Sequence, residues 1–253
     1  MDKIIEAIKA CSIIIQNSLS HSGINNLHGE HETSNSSGDV QKKLDVISND
    51  LMIDYLSKTE ECSILLSEEN DDLILVDDSK KYIVAFDPLD GSSNIDCNCC
   101  VGTIFCVFED NHSPNMSERI LRKGDEIICA GYVLYGPATD FVITVGNVVE
   151  HFVLDRTQSK YIYLGDIHIG TKKIYSINES NCENWYPDMK KYVAQYKVKD
   201  TKYTHRYIGS MVADVHRTDK KNSLSFFYLL SLKNVVFKAE HFYMEECFHI
   251  RLI

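Results

Sequence analysis

The run YIVAFDPLDGSSNID, residues 82–96, limits the fold more than any other stretch. Tyr82–Phe86 is apolar without a break, too short for a helix of its own, and bounded by turn residues. It reads as a buried strand. The strand runs straight into Asp87, Pro88, Asp90 and Gly91. Pro88 fixes one backbone angle and Gly91 permits unusual ones, so the acids sit on a tight turn. Carboxylates crowded at a strand end repel one another unless something positive sits between them.

A second acidic pair lies close by. The run SILL is followed by SEE, which places Glu68 and Glu69 just after a strand, Glu69 falling 18 residues before Asp87. If the two strands are neighbours running the same way, both sets of acids meet at one end of the sheet. Mg²⁺ and other hard cations take such oxygens at about 2.1 Å. Two of them about 3.5–4 Å apart can clamp the attacking and leaving oxygens of a phosphoryl group. In GSSN, residues 91–94, successive amides can point one way and cradle an anion. Taken alone, D-P-x-D-G is as often a capped surface turn. With SEE upstream and GSSN attached, the reading is a site where acids share cations and cations share a phosphate.

Elsewhere the chain alternates patterns. MDKIIEAIKACSIII reads as an amphipathic helix on Ile4, Ile5, Ile8, Cys11 and Ile15. HGEHETSNSSGD is a polar loop. Asp39 is placed to cap a second helix running to about Lys58, with Val40, Leu44, Ile47 and Leu51 as its apolar stripe and Asp45 off that stripe. Then come short apolar runs with strand character: SILL, LILV, YIVAF, VGTIFCVF, IICAGYVLYG, DFVITVG and EHFVLD. A long polar loop, residues 109–126, separates two of them. The mixture predicts layered α/β or α+β packing.

Charge and cysteine content narrow the partners. The formal net charge is -11, which argues against nucleic acid. An anionic small substrate stays open, because bound cations invert the local field. No apolar run reaches the length of a membrane span, and no signal-peptide pattern opens the chain, so no membrane partner is expected. Nine cysteines without a disulfide framework's spacing predict a reducing, cytoplasmic setting. CNCC, residues 97–100, lacks the second pair a zinc site wants and reads as small buried residues at a strand start.

Several segments together resemble class I fructose-1,6-bisphosphatase. They are LSEEN (66–70), KKYIVAFDPLDGSSNID (80–96), VGTIF (101–105), GDVQKKLDVISNDL (38–51), AGYVLYGPAT (130–139), KIYSINES (173–180) and RYIGSMVADVHRT (206–218). D-P-x-D-G alone is shared with inositol monophosphatase-like enzymes. KKLDVISNDL and GSMVADVHRT are particular to the fructose bisphosphatases. The resemblance implies the layered αβαβα sugar-phosphatase fold. It implies metal-dependent hydrolysis of the 1-phosphate of fructose 1,6-bisphosphate, with Mg²⁺, or alternatively Mn²⁺ or Zn²⁺. By the resemblance, Glu68, Asp87, Asp90 and the Leu89 carbonyl match metal ligands, with Glu68 counted also among the catalytic acids. Asp45 and Glu69 match acids that activate the attacking water, and Asp39 an acid on the adjoining loop. Gly91, Ser92 and Ser93 match amides that hold the phosphate to be cleaved. Asn178, Arg206, Tyr207 and Met211 match sugar and distal-phosphate contacts. The arginine reaches in from a neighbouring subunit in that family, which implies a homotetramer. His216 and Arg217 read as structural. Lys81 and Tyr82 match an AMP site of regulated members, where Asp125 stands in place of a basic group.

The quoted motifs stop at residue 218. The expected organisation is an N-terminal domain over 1–170, the start of a sugar-binding domain over 171–218, and a non-matching tail over 219–253. The family's K-L-R-L-L-Y-E segment, with its lysine and glutamate, has no match in the tail, and Glu246 stands only at a comparable distance. The expectation is therefore a C-terminally incomplete fold with impaired turnover. Two alternatives stay open on the residues: a phosphatase of another sugar or inositol phosphate, and a catalytically dead fragment that binds metal or partner subunits.

Overall fold

A computed structural model describes residues 1–25, 30–34, 40–168, 173–199 and 202–220. Asp39, Glu246 and the rest of 221–253 lie outside the described residues. The strand expected before the acid turn is β5 (Tyr82–Asp90), and it lies inside an eight-stranded sheet. The sheet also holds β3 (Cys62–Ser67), β4 (Ile74–Leu75), β6 (Val101–Glu109), β7 (Cys129–Tyr135), β8 (Thr139–Val145), β9 (Val148–Asp155) and β10 (Lys160–Asp166). Their spatial order is β10-β9-β8-β7-β6-β5-β3-β4. The one parallel pair is β3 with β5, in register Ser67↔Phe86; every other pairing in this sheet is antiparallel. That single parallel pair carries both acidic segments off the same sheet end.

Strand alternation sends side chains to two faces. Val84, Phe86, Phe105, Val107, Val133 and Phe141 face α1 (Asp2–Ser20) and α2 (Lys43–Ser57). The stripe of α1 is buried at Ile4, Ile8, Cys11 and Ile15. The opposite face is shared. Ile83, Ala85, Cys106 and Phe108 pack toward α3 (Met116–Ile120), while Ile104, Tyr132, Leu134 and Val142 pack on α5 (Met211–Lys220). Beyond α5 a small parallel pair, β11 (Ile174–Tyr175) and β12 (Thr204–His205), packs through Tyr175, Ile177 and Val193 against α4 (Pro187–Ala194). The molecule is thus an α/β fold with a mixed sheet, and its helices and sheets follow the expected αβαβα layering.

Four local expectations need correction. Helix α2 starts at Lys43, and Val40 lies instead in β2 (Val40–Lys42), paired with β1 (Glu30–Ser34). The buried face of α2 includes Asp45, Ser48 and Asn49 beside Leu44, Met52 and Leu56, so part of its polar side points inward. Strand β10 went unread because it is a sheet edge whose apolar residues do not alternate: Ile162, Tyr163 and Leu164 are all exposed. The 109–126 loop contains α3, capped by the Asn115 side chain accepting from the Ser117 amide. In it Arg119, buried, pairs with Asp110 through two nitrogens and with Asp78 at 2.7 Å, and Ser63 donates to Asp110 at 2.6 Å.

Candidate functional site

The β3 end is built to hold its acids. The Glu68 amide donates to the Phe86 carbonyl at 3.0 Å, so the chain stays paired with β5 one residue past the strand. The Glu69 amide donates to Ser67 Oγ at 3.2 Å, and Ser67 Oγ donates to Asn49 Oδ1 at 2.7 Å. Asn49 Nδ2 then donates to Asn70 Oδ1 at 2.7 Å. Asn49 therefore ties the SEEN turn to α2. Asp45 lies one turn earlier on the same helix face and is 2% exposed. Nothing in an apolar-stripe reading singles out Asn49; its signal is the i+4 spacing from Asp45.

The β5 end is equally ordered. Thr103 donates to the Pro88 carbonyl at 2.9 Å, and Leu89 is buried. The Leu89 amide donates to Asp87 Oδ1 at 2.9 Å. The ladder with β6 slips between Asp87↔Ile104 and Asp90↔Gly102, so the strand bulges at the proline. Gly91 follows at φ 76° and ψ 29°, left-handed backbone that favours glycine, and opens a 3₁₀ turn over Ser92–Asn94. A Cβ on Gly91 would lie 2.9 Å from Ser210 Cβ. The acid turn therefore touches a residue 119 positions later in the chain.

Electrostatics bring the acids together. Burial first, then the charges of Glu68, Asp90 and Glu69, push the Asp87 carboxyl well above the usual carboxylate range. Burial also raises Asp90, opposed by hydrogen bonds from the Val212 amide, the Ser210 hydroxyl and the Met211 amide. Burial and then the charges of Asp214 and Asp90 raise the Tyr207 phenol. Among the described residues, no three His, Cys, Asp or Glu side chains are already gathered into one ligand shell. The charges of Glu68, Asp90 and Glu69 all reach Asp87, after burial the next causes of its raised pKa. Their donors are hard carboxylate oxygens, the kind Mg²⁺ or Mn²⁺ takes, so the donor set fits such a cation in chemistry and charge.

The remaining expected residues are spread around this centre. Met211 is buried in the cluster under α5. Arg206 is exposed; its backbone amide donates to the Tyr175 carbonyl at 2.8 Å and its Nη1 to the His205 carbonyl at 3.3 Å. The Asn178 side chain caps the 3₁₀ turn Glu179–Asn184, accepting from the Ser180 amide at 3.2 Å. Ser92 is half-buried and Ser93 exposed. Ser210 and Asn49 are the contributors that single-residue reading missed.

His216 has a packing role: Tyr132 OH lies 3.1 Å from its Nδ1, and Asp140, itself bonded by His151 at 2.6 Å, lies 3.9 Å from its Nε2. Lys81 pairs with Glu109 at 3.3 Å and lies over the Tyr82 ring. CNCC is not the buried set expected. Cys97 and Cys99 are exposed, because their amides both donate to the Asn94 carbonyl around Asn98 at φ 54° and the turn stands off the sheet.

Comparison with known proteins bears on family and fold. The family profile described as fructose-1-6-bisphosphatase, N-terminal domain, matches residues 1–166, and the C-terminal domain profile matches 169–245, past the point where the quoted motifs stop. Class 1 fructose-1,6-bisphosphatase of a Sulfurihydrogenibium species is 41% identical over 239 residues, 92% of this chain and 72% of that protein. Fructose-1,6-bisphosphatase 1 of Bos taurus is 41% identical over 226 residues, 86% of this chain and 66% of that protein. The cytosolic enzyme of Brassica napus is 44% identical over 204 residues, 78% of this chain and 60% of that protein. The holo-form crystal structure of Leishmania major fructose-1,6-bisphosphatase superposes with a TM-score of 0.78 at 37% identity, covering 85% of this chain and 70% of that one. The chain thus spans about two thirds of the length of these relatives. With one profile alone covering most of its length and a mixed sheet that matches in space, the chain belongs to the fructose-1,6-bisphosphatase family.

Proposed function

We propose that the chain hydrolyses the 1-phosphate of fructose 1,6-bisphosphate to fructose 6-phosphate and phosphate, a step of gluconeogenesis, with divalent cations held at the acid turn. The observation that carries the reading is the set of four carboxylates, Glu68, Glu69, Asp87 and Asp90, whose mutual charge raises Asp87, at a turn continuous with Gly91–Ser93. Glu68, Asp87, Asp90 and the Leu89 carbonyl are the ligands we assign. Mg²⁺ is the first choice, with Mn²⁺ or Zn²⁺ as substitutes. When bound, such ions neutralise phosphate charge and stabilise the oxygens of an in-line displacement.

The protein's own groups supply the rest. Asp45, buried on α2, and Glu69, with its amide on Ser67, are placed to take the proton of the attacking water. The amides of Gly91, Ser92 and Ser93 orient the phosphate to be cleaved. Tyr207, Met211, Asn178 and Arg206 orient the sugar and the far phosphate. The exposed Arg206 is consistent with a homotetramer in which it serves a neighbouring subunit. The cytosolic name of the Brassica napus relative supports a cytoplasmic setting, and no described helix is long and apolar enough to cross a membrane.

A substrate panel tests the assignment. Inorganic phosphate is measured from fructose 1,6-bisphosphate, sedoheptulose bisphosphate and an inositol monophosphate, each with Mg²⁺. Release from the fructose ester at least tenfold faster than from the others is expected. Preference for the inositol ester would move the assignment to the wider phosphatase group that shares D-P-x-D-G.

A further inference from the structure

The acid turn is held from one distant element, the start of α5. Ser210, 1% exposed, donates from Oγ to Asp90 Oδ2 at 2.9 Å, and the Val212 amide donates to the same oxygen at 3.0 Å. Two donors converging on Oδ2 fix the plane of the carboxylate. Neither of these two donors engages Oδ1. Ser210 is itself clamped: its Oγ lies 3.5 Å from the Ala213 amide in the position of a helix cap. Asp214, one turn on, accepts from the amides of Ile208 at 3.0 Å and Gly209 at 3.2 Å, closing the turn that carries Arg206 and Tyr207. Gly91 fills the remaining space, since a Cβ there would meet Ser210 Cβ at 2.9 Å.

Helix amides are donors and satisfy only the oxygen of a capping serine; the buried Ser210 hydroxyl proton still needs an acceptor, and Asp90 Oδ2 is the one it has. The arrangement makes sense if that carboxylate must be presented in one orientation. We propose that Ser210 is a positioning residue for Asp90: its hydroxyl, with the Val212 amide, holds Oδ2 so that the other oxygen faces a divalent cation. The inference rests on the reading of Asp90 as a metal ligand. Partners that orient a metal ligand typically change metal affinity by about 10- to 100-fold when removed. The arrangement also joins the two halves of the site. The residue that orients Asp90 immediately follows the turn bearing Tyr207, so displacement of that turn is transmitted to the metal side.

The test is Mn²⁺ binding to the metal-free full chain by titration calorimetry, without substrate, in wild type, Ser210→Ala, Ser210→Cys, Asp90→Asn and Ser63→Ala. Cysteine keeps the volume of serine with only a weak donor, so it carries the measurement if the alanine variant is insoluble. Ser63 is a matched control, a fully buried serine donating to a different aspartate, Asp110, at 2.6 Å. Both Ser210 variants are expected to bind Mn²⁺ about 10- to 100-fold more weakly, with Ser63→Ala at wild-type affinity whatever its melting temperature. Wild-type affinity in Ser210→Ala or Ser210→Cys, with binding lost in Asp90→Asn, overturns the positioning role alone. Equal weakening in Ser63→Ala overturns it as well, since loss of fold stability then explains the effect. Binding that is absent in wild type, or unchanged in Asp90→Asn, removes the metal assignment and the inference with it.

Discussion

Asp87 is the residue where fold and chemistry conflict most sharply. It is buried beside three other acids, and each of them makes its charge harder to hold. A folded pKa above the unfolded value means that the metal-free fold loses stability as pH rises and Asp87 ionises. Asp87→Asn keeps the size and removes the charge. It should raise the melting temperature of the metal-free protein by a few degrees, the shift that about 1 kcal/mol of relieved repulsion gives a domain of this length. With saturating Mg²⁺ the order should invert, because a cation at 100 times its Kd adds about 2.7 kcal/mol to a fold that binds it. Calorimetric melts of both proteins with and without Mg²⁺ decide this; a wild type that stays below the variant in Mg²⁺ rules out the cation. Gly91 is the second demanding position. Alanine there meets both a left-handed backbone, at about 1–2 kcal/mol, and the Ser210 contact. Urea titration of Gly91→Ala should show a loss of at least 2 kcal/mol, and a loss below 0.5 kcal/mol means the turn relaxes freely.

Elements were legible where a single period governed them. The strands β3 and β5 and the helix α1 follow directly from apolar runs and a 3.6-residue stripe. Helix α2 was only half legible, because Asp45 and Asn49 turn a polar face inward, where Asn49 bonds the neighbouring turn, and the stripe alone points the other way. Parallel pairing of β3 with β5 was a condition on the site, not a reading of local pattern, since side-chain alternation carries no strand direction. The acids could be named from residue type and spacing, whereas Ser210 joins them only through a contact with Asp90 made 120 residues away. The α3 loop was hidden for a different reason: its five-residue helix offers only Met116 and Ile120 to the core, too few for a stripe, and a buried ion pair anchors it beside them. Arg119 is buried between Asp110 and Asp78. Burial raises Asp110, but hydrogen bonds from Arg119, Ser63 and the His112 amide together with the Arg119 charge outweigh it and hold the carboxyl at about 2. A depressed carboxylate adds stability above its unfolded pKa of about 4, lost as pH falls toward 2. Asp110→Asn should flatten that acid limb in urea melts taken between pH 2 and 5, and an unchanged limb assigns it elsewhere. Arg119→Ala leaves Asp110 buried without its cation and should cost about 3–5 kcal/mol.

At the scale of the whole molecule, helix α5 unites what the sequence separates. Its start bonds Asp90, its buried face packs Met211, Val212 and Ala213 on β6 and β7, and Asp214 reaches the turn before it. On the proposed function, a protein of net charge -11 would meet a doubly phosphorylated sugar and needs cations at the meeting point. The carboxylates at the ends of β3 and β5 are the proposed point, and the parallel pairing of these strands brings them to a common sheet end. Phosphate release from fructose 1,6-bisphosphate, compared between wild type and Asp87→Asn, each with saturating Mg²⁺ and with a chelator, joins these facts in one experiment. Release is expected from wild type in Mg²⁺, with none in chelator and a fall on the order of a hundredfold or more in Asp87→Asn. Release that persists in chelator, or that Asp87→Asn sustains at the wild-type rate, contradicts a cation-dependent phosphatase centred on the acid turn.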